Sequence, residues 1–408
     1  MSLRARQRGI SIVLIMVALV ALLAVGGLAL DVSHALADKS RLQATVDAAA
    51  LSAAKVLDTT GSTTQASAAA SAVFTLNANQ QSELKAANIT PTVQFSNTLV
   101  PFSAGTVPAY YVKVTASGFS ISATLARTVG INNLTMASSA IAGPSPTIDN
   151  GCNLAPLLVC GTAPTAGNPL YGYSQGQVVA LKLSAGGASS PGNYNLLALG
   201  GNGANVVRQN LAGDYNSCAN LNSTVTTQPG VAAGPTAQGL NTRFGQYQGG
   251  GMNSTSYPPD VITNQPSGTS RLSCSSSSCA TIVTGPGGGT VITNASQYGA
   301  WSYDGMYLPD LQTGTLNNPP PSGVVDRRVL AAPVGDCSTM TGGRTTVNVL
   351  GFACLFLLQD VDTSGTGGQI FGEMLPKCQI DGTPGVGPNT GPGPYIIQLY
   401  HVAGSTES

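Results

Sequence analysis

The sequence predicts an α+β protein: a single amino-terminal transmembrane helix continues into an α+β domain, and a mostly-β, disulfide-containing domain follows. Three observations carry this expectation. Ile10 to Leu30 (ISIVLIMVALVALLAVGGLAL) is an uncharged run in which Ser11 has the only polar side chain. Beyond it, apolar residues keep a helical repeat until about Leu57. After Gly143 the repeat stops, and short apolar runs alternate with Gly, Pro and Asn turns in a region that holds all eight cysteines. The expected divisions are therefore residues 1–30, a basic start and span; 31–143, the α+β domain; and 144–408, the Gly/Pro/Asn-rich β domain.

The apolar run sets the character of the chain. At about 1.5 Å per helical residue it extends about 31 Å, the thickness of a bilayer's hydrocarbon core. Its Leu, Ile and Val residues together favour insertion by about 5 kcal/mol, with Gly26 and Gly27 as the weak points. Arg4, Arg6 and Arg8 precede it with no acid among them, whereas Asp31, Asp38, Lys39 and Arg41 nearly cancel on the far side. The basic end is thus expected to stay cytoplasmic, with the rest of the chain delivered outside. A cleaved signal could use Ala35-Leu36-Ala37, but signal cores run only about 7 to 15 residues. A leader cut after Gly9, as in prepilins, would put Leu14 where those proteins usually carry Glu. An uncleaved anchor is the expected form.

Composition narrows the function classes. Charged residues make up 8% of the 408, against 50 Gly and 25 Pro, and the formal net charge is zero. No nucleic-acid partner is expected, because neutralising phosphates needs clustered Lys and Arg. An even cysteine count in an oxidising compartment reads as disulfides. Zinc is the competing reading, but there is no C-x-x-C and the only histidines are His34 and His401, so no metal site is assigned. The sequence does not fix the connectivity; Cys152 with Cys160 and Cys274 with Cys279 are the local candidates, each closing a short loop.

Past the span, Val32, Ala35, Leu42, Val46, Ala49, Ala53 and Val56 recur at three- and four-residue steps, with Asp38, Arg41, Gln43, Asp47 and Lys55 between them on the polar face. One helix is therefore expected to run from the membrane to about Leu57. Its small-residue face, DAAALSAA, packs either on its own domain or on neighbouring subunits, since Ala lets helices approach closely. Gln65 to Asn79 reads as a second helix capped by Ser62 or Thr63. Thr92 to Phe95 and the alternating Tyr110 to Ser117 read as strands, Ser122 to Val129 as a short helix, and Leu134 to Ile141 as a further strand. After the break at Gly143-Pro144-Ser145-Pro146, strand-like runs lie at Gln177–Leu183, Asn195–Leu199, Thr290–Thr293, Arg328–Ala332, Thr345–Leu358 and Tyr395–Val402. The run Phe352 to Leu358 is too short to cross a bilayer and reads as a buried strand. Ser267 to Ser278 and Asn317 to Ser322 read as exposed loops.

A basic RQRG, a span closing on GLALDV, and then RLQATVDAAALSAA resemble the amino-terminal region of TadG-like proteins of the Tad (Flp) pilus assembly system. Arg8, Gly9, Asp31, Leu42, Gln43, Asp47, Ala48, Ala49, Ala50 and Leu51 carry the resemblance. YYVKVTASGFSISATLARTVGINNLTMASSAIAG is similar to the family's first domain, and PGNYNLLALGG and GLNTRF extend the likeness more weakly into the later part. The resemblance implies a pilin-like α+β unit on a membrane stem. It also implies a single-pass place in a bacterial inner membrane with the bulk of the chain periplasmic, and partners among other Tad assembly proteins, pilins or copies of itself.

Three motifs invite chemistry. Gly172-Tyr173-Ser174-Gln175-Gly176 is a literal G-x-S-x-G, which in an α/β-hydrolase forms a nucleophile elbow between strand and helix. Its partners would be His401 with Asp304, Asp310 or Asp360, but an apolar strand is missing before it and QVVALKL after it has strand character. Asp360-Val361-Asp362-Thr363-Ser364-Gly365 begins like a calcium loop, yet its twelfth position is Phe371 rather than Glu. Asp31-Val32-Ser33 starts a D-x-S-x-S metal pattern that fails at Ala35. No catalytic, cofactor-binding or metal residue is assigned. The expected function is a non-enzymatic, membrane-anchored structural component of Tad pilus assembly. The alternatives are an anchored serine hydrolase using Ser174 and a surface adhesin, which differs in its partner.

Overall fold

The structure is a computed structural model that describes residues 10–165, 168, 170–183, 194–216, 218–273, 282–293, 295–316, 319–340, 342–362, 368–384 and 393–401. Two units divide the chain: residues 1–143 with 398–408, and residues 144–397.

In the first unit α1 runs unbroken from Ile10 to Thr60, with α2 at Thr63–Ala78 and α3 at Ser82–Ala87. Ser62 caps α2, its side chain accepting the Gln65 N–H as its sequence position predicted. Strands β1 (Thr92–Ser96), β2 (Tyr111–Ser122) and β3 (Asn133–Pro144) form an antiparallel sheet. Along β2, Val112, Val114 and Ala116 are buried as their alternation requires. The strand extends past the expected end at Ser117 because Gly118, at φ +79°, absorbs a β-bulge between Ala116 and Phe119 and pairing then resumes. Of the helix expected over Ser122–Val129, only a 3₁₀ turn at Ala126–Val129 forms. A fourth strand, Ile397–Tyr400, joins the sheet beside β3 from the far end of the chain. Residues 398–401 thus belong with the first unit rather than with the region that follows Gly143 in sequence.

The second unit is mostly β. Its main sheet comprises β4 (Val159–Cys160), β5 (Val178–Lys182), β6 (Ile282–Thr284), β7 (Thr290–Ile292), β8 (Val329–Gly335), β9 (Gly351–Leu357) and β10 (Ile370–Leu375), in the order β4-β8-β9-β10-β5-β7-β6. All neighbours are antiparallel except β4 with β8. The uninterrupted apolar run of β9 is explained by burial on both faces. Phe352, Cys354 and Phe356 enter one core and Ala353, Leu355 and Leu357 the other. The expected single run Thr345–Leu358 is two strands, Thr346–Asn348 and β9, split by a turn. Asn195–Leu199 contributes only isolated bridges, Leu196 to Leu157 and Leu197 to Thr227. Leu272, in a stretch expected to be exposed, is buried and held by the Gln359 side chain.

A buried polar hub locks the loops to one face of this sheet. The Arg328 guanidinium, wholly buried, lies between the Phe244 and Phe356 rings, 4.7 and 4.4 Å from their centroids. Its N–H groups donate to the carbonyls of Leu357, Leu358, Ile262 and Asn264. Asp260 accepts the Tyr307 hydroxyl and the N–H groups of Ile262 and Arg328. Burial pushes the Asp260 carboxyl up and the Arg328 guanidinium down.

The disulfides join Cys152 to Cys218, Cys160 to Cys337 and Cys354 to Cys378. The local Cys152–Cys160 pairing is corrected: Cys152 ends the strand Ile148–Cys152, which pairs with Cys218–Asn220, whereas Cys160 lies on β4 in the main sheet. Cys274 and Cys279 lie outside the described residues. The bridges are long-range, with separations of 66 and 177 residues for the first two, so they constrain the unfolded chain more than short loops would. In a non-reducing tryptic map, the peptide carrying both Cys152 and Cys160 is expected to be linked to the peptides carrying Cys218 and Cys337. Recovery of that peptide alone, closed on itself, would contradict this pairing.

Candidate functional site

The G-x-S-x-G segment is a turn entering a strand. Tyr173 is buried with its hydroxyl donating to the Cys160 carbonyl, while Ser174 is exposed and its N–H donates to Gln177 Oε1 at 3.1 Å. Gly176 N–H donates to Met374 O, Met374 N–H donates to Gln177 O, and the chain continues directly into β5. A nucleophile elbow needs a helix at that point. Gln175 Nε2 reaches Asp304 Oδ2 at 3.4 Å, Asp310 stands in the short helix Leu308–Thr313, and both histidines, His34 and His401, belong to the first unit.

Asp360, which opens the calcium-like stretch, is half-buried. It is ion-paired with Arg271 and accepts from Gln246 Nε2 at 2.8 Å, so both carboxylate oxygens are engaged within the protein. Thr363 to Gly365 lie outside the described residues.

A group the sequence did not flag lies beside the Gly176 turn. Glu373, on β10, is 3% exposed and faces a cavity of about 580 Å³ that is also lined by Gln177, Thr293, Tyr298, Ser302 and Asp304. Burial pushes its carboxyl up to about 7; the bond from Tyr303 N–H (2.8 Å) opposes the rise and the Asp304 charge adds to it. It was hidden in sequence because a lone Glu within an apolar strand carries no spacing signal.

The stem of the first unit is where the residues marked by resemblance converge. From Val13 to Leu30 the described side chains of α1 are mostly exposed, and the helix is long and apolar enough to cross a membrane. Beyond residue 38 the same helix turns its apolar face inward: Leu42, Val46, Ala49, Ala50 and Ala53 are fully buried, packed on α2 and β2. The buried positions of α2 are Ala66, Ala70, Phe74 and Ala78, a strict four-residue repeat in which three alanines allow close approach and Phe74 fills the core. The structure therefore decides between the two readings of DAAALSAA: that face is the core of its own unit. The polar face is narrower than the spacing suggested. Gln43 is half-buried, donating to the Ser139 carbonyl of β3 at 3.0 Å and to Asp47 at 2.8 Å, and Asp38 is buried.

Asp31, the first charged residue after the apolar run, accepts three backbone N–H groups, from Thr124 (3.2 Å), Leu125 (2.8 Å) and Ala126 (2.6 Å). The Ala126 bond is the main reason its carboxyl is held below the ordinary range. One turn on, His34 Nε2 lies 3.2 Å from Asp38 Oδ2 and 3.6 Å from Glu83 Oε1 on α3, and Arg41 reaches Asp38 Oδ1 at 3.0 Å. These three donor atoms, within 4.8 Å of one another, are the group among the described residues that could hold a metal ion. His34-x-x-x-Asp38 is the helical spacing that could have flagged it. Arg41 already balances Asp38, and His34 and Glu83 bring polar groups of α1 and α3 together.

Residues 9–56 match the family model for putative Flp pilus-assembly TadE/G-like proteins. This segment of the chain is TadE/G-like. No curated protein and no solved structure matches the chain. The TadE/G-like segment coincides almost entirely with α1, and it supports a role in Tad pilus assembly. Asp31, Gln43 and Asp47, each part of the resemblance, do local work in it: Asp31 fixes the loop after β2, Gln43 ties the helix to β3, and Asp47 orients Gln43.

Two outcomes follow. Ala53→Phe in the TadE/G-like segment should overpack the first unit by about 1 to 3 kcal/mol and lower its thermal midpoint, because no free surface receives the ring. An unchanged midpoint would return that face to subunit contacts. For Glu373, the folded pKa near 7 lies above the ordinary 4.5, so the folded state keeps a proton that the unfolded state has lost between those values. Stability therefore falls as pH rises through that window. Glu373→Gln should abolish this slope and be more stable than wild type near pH 8, by no more than about 3 kcal/mol, as read by urea denaturation. A destabilised variant at that pH would show that the ionised carboxylate is favoured instead.

Proposed function

We propose that the chain is a single-pass structural component of Tad pilus assembly, a minor pilin-like or assembly protein, with both units outside the cytoplasm. The carrying observation is the coincidence of the Flp-assembly match at residues 9–56 with a helix exposed over its apolar first part and buried over its second. A helix of that kind ties a folded unit to a bilayer without a flexible linker. The basic Arg4, Arg6 and Arg8 favour a cytoplasmic amino terminus in the inner membrane. Residues 31–143 act as the pilin-like unit and the region after Gly143 as a disulfide-tied β domain. Because DAAALSAA is spent on the unit's own core, contacts with other Tad proteins, pilins or a second copy fall to the span and to the outer surfaces of the units.

A reporter active only in the periplasm, fused after Gly61 or after Ser408, should be active at both places. Activity of a cytoplasm-only reporter at either one would overturn the orientation. Detergent-solubilised wild-type protein should co-purify with Tad assembly proteins or pilins identified by mass spectrometry, and recovery of none of them would count against the assembly role.

A further inference from the structure

The turn between β2 and β3 is held against α1 at the level where the apolar run ends. Ala123 N–H donates to Asn132 O and Ile131 N–H to Ala126 O, closing the turn on itself. The three bonds to Asp31 fasten its start to the helix. Leu125 reaches further: a Cβ on Gly27 would stand 2.6 Å from the Leu125 Cβ, so this contact requires glycine at that position. Gly27 lies three residues before Leu30, about 4.5 Å back along the helix towards the middle of the apolar run. Leu125 nevertheless keeps 43% of its surface exposed, Ile131 on the same turn keeps 40%, and the neighbouring helix residues Leu28 and Leu30 are exposed as well. Arg127 is the only charged residue from Ala123 to Asn132, and it is exposed.

Resting on the membrane anchor proposed above, we infer that the Leu125–Ile131 turn is a second, shallow membrane contact, with Leu125 and Ile131 in the acyl edge of the bilayer and Arg127 among the lipid headgroups. Three features specify lipid as the occupant. Leu125 packs at Gly27, inside the apolar run, so what surrounds the exposed run at that level also meets the turn. The carboxylate at this level, Asp31, is covered by amide N–H groups, which lowers the cost of placing it at an interface. The one charged residue on the turn, the exposed Arg127, is cationic, the sign that anionic headgroups attract. Asp31 then does two things: it ends the span and sets the depth of the turn.

The test uses the full chain in the Trp301→Phe background, with one tryptophan returned at Val17, Leu125, Ile131 or Leu76, the last an exposed position on α2. Each variant is reconstituted into phosphatidylcholine–phosphatidylglycerol vesicles whose acyl chains are brominated near the glycerol end. Expected are quenching at Val17→Trp and at Leu125→Trp, with blue-shifted emission, and none at Leu76→Trp. Ile131→Trp serves as a second reporter that does not disturb the Gly27 contact, and it should be quenched as well. Quenching at Val17→Trp with none at Leu125→Trp or Ile131→Trp overturns the turn's membrane contact and leaves the anchor standing. Blue-shifted but unquenched emission at both turn positions would mean that protein, such as a neighbouring copy, covers them, and likewise overturns it. Absence of quenching at Val17→Trp sinks the anchor itself, and this contact with it.

Discussion

The first unit depends on one constraint: a single unbroken helix carries two opposite patterns of burial. Over its first part α1 presents apolar side chains outward, and over its second it presents them inward to α2 and β2. No proline or loop separates the two regimes, so the change of environment falls on the side chains alone. Asp31 marks the change, and its carboxylate is satisfied by backbone amides of a turn distant in sequence. The helix thereby becomes the axis from which the unit's sheet and the β2–β3 turn are positioned. The small residues beyond Asp38 are what permit it, since α2 can lie close only where both helices carry Ala.

The elements with strong local periodicity were legible in the sequence. The continuous helix, the capped second helix and the alternating β2 all follow from repeats that one segment carries by itself. Features that depend on partners remote in sequence were not. Gln43 and Asp38 look like members of a solvated face until β3 and α3 are laid over them. The Cys152–Cys160 pairing seemed natural from proximity along the chain, but sheet pairing sends the two residues to different partners. Glu373 and the His34–Asp38–Glu83 cluster are assembled from separate elements, and only the helical spacing within the latter leaves a trace in the sequence.

The second unit shows how a chain with few charges uses them. Arg328 and Asp260 are wholly buried, and what holds the arginine is a set of backbone carbonyls and two aromatic faces. Such a group contributes specificity of arrangement as much as free energy, because removing either side strands the other in a dry core. It gathers the ends of loops that carry little regular structure of their own, while the disulfides tie strands that lie far apart in sequence.

The returning strand Ile397–Tyr400 has a consequence for the order of events during synthesis. The second unit is an insertion between β3 and that strand, so the first unit's sheet waits for the whole inserted unit to arrive before it gains this strand. Until then β3 has an open hydrogen-bonding edge, the kind of surface that invites pairing with another nascent chain. Prompt folding of the inserted unit would shorten that interval, since it brings Pro144 and Ile397, its two ends, together as neighbours of one sheet. The covalent cross-links of the inserted unit thus bear on how safely the first unit is completed.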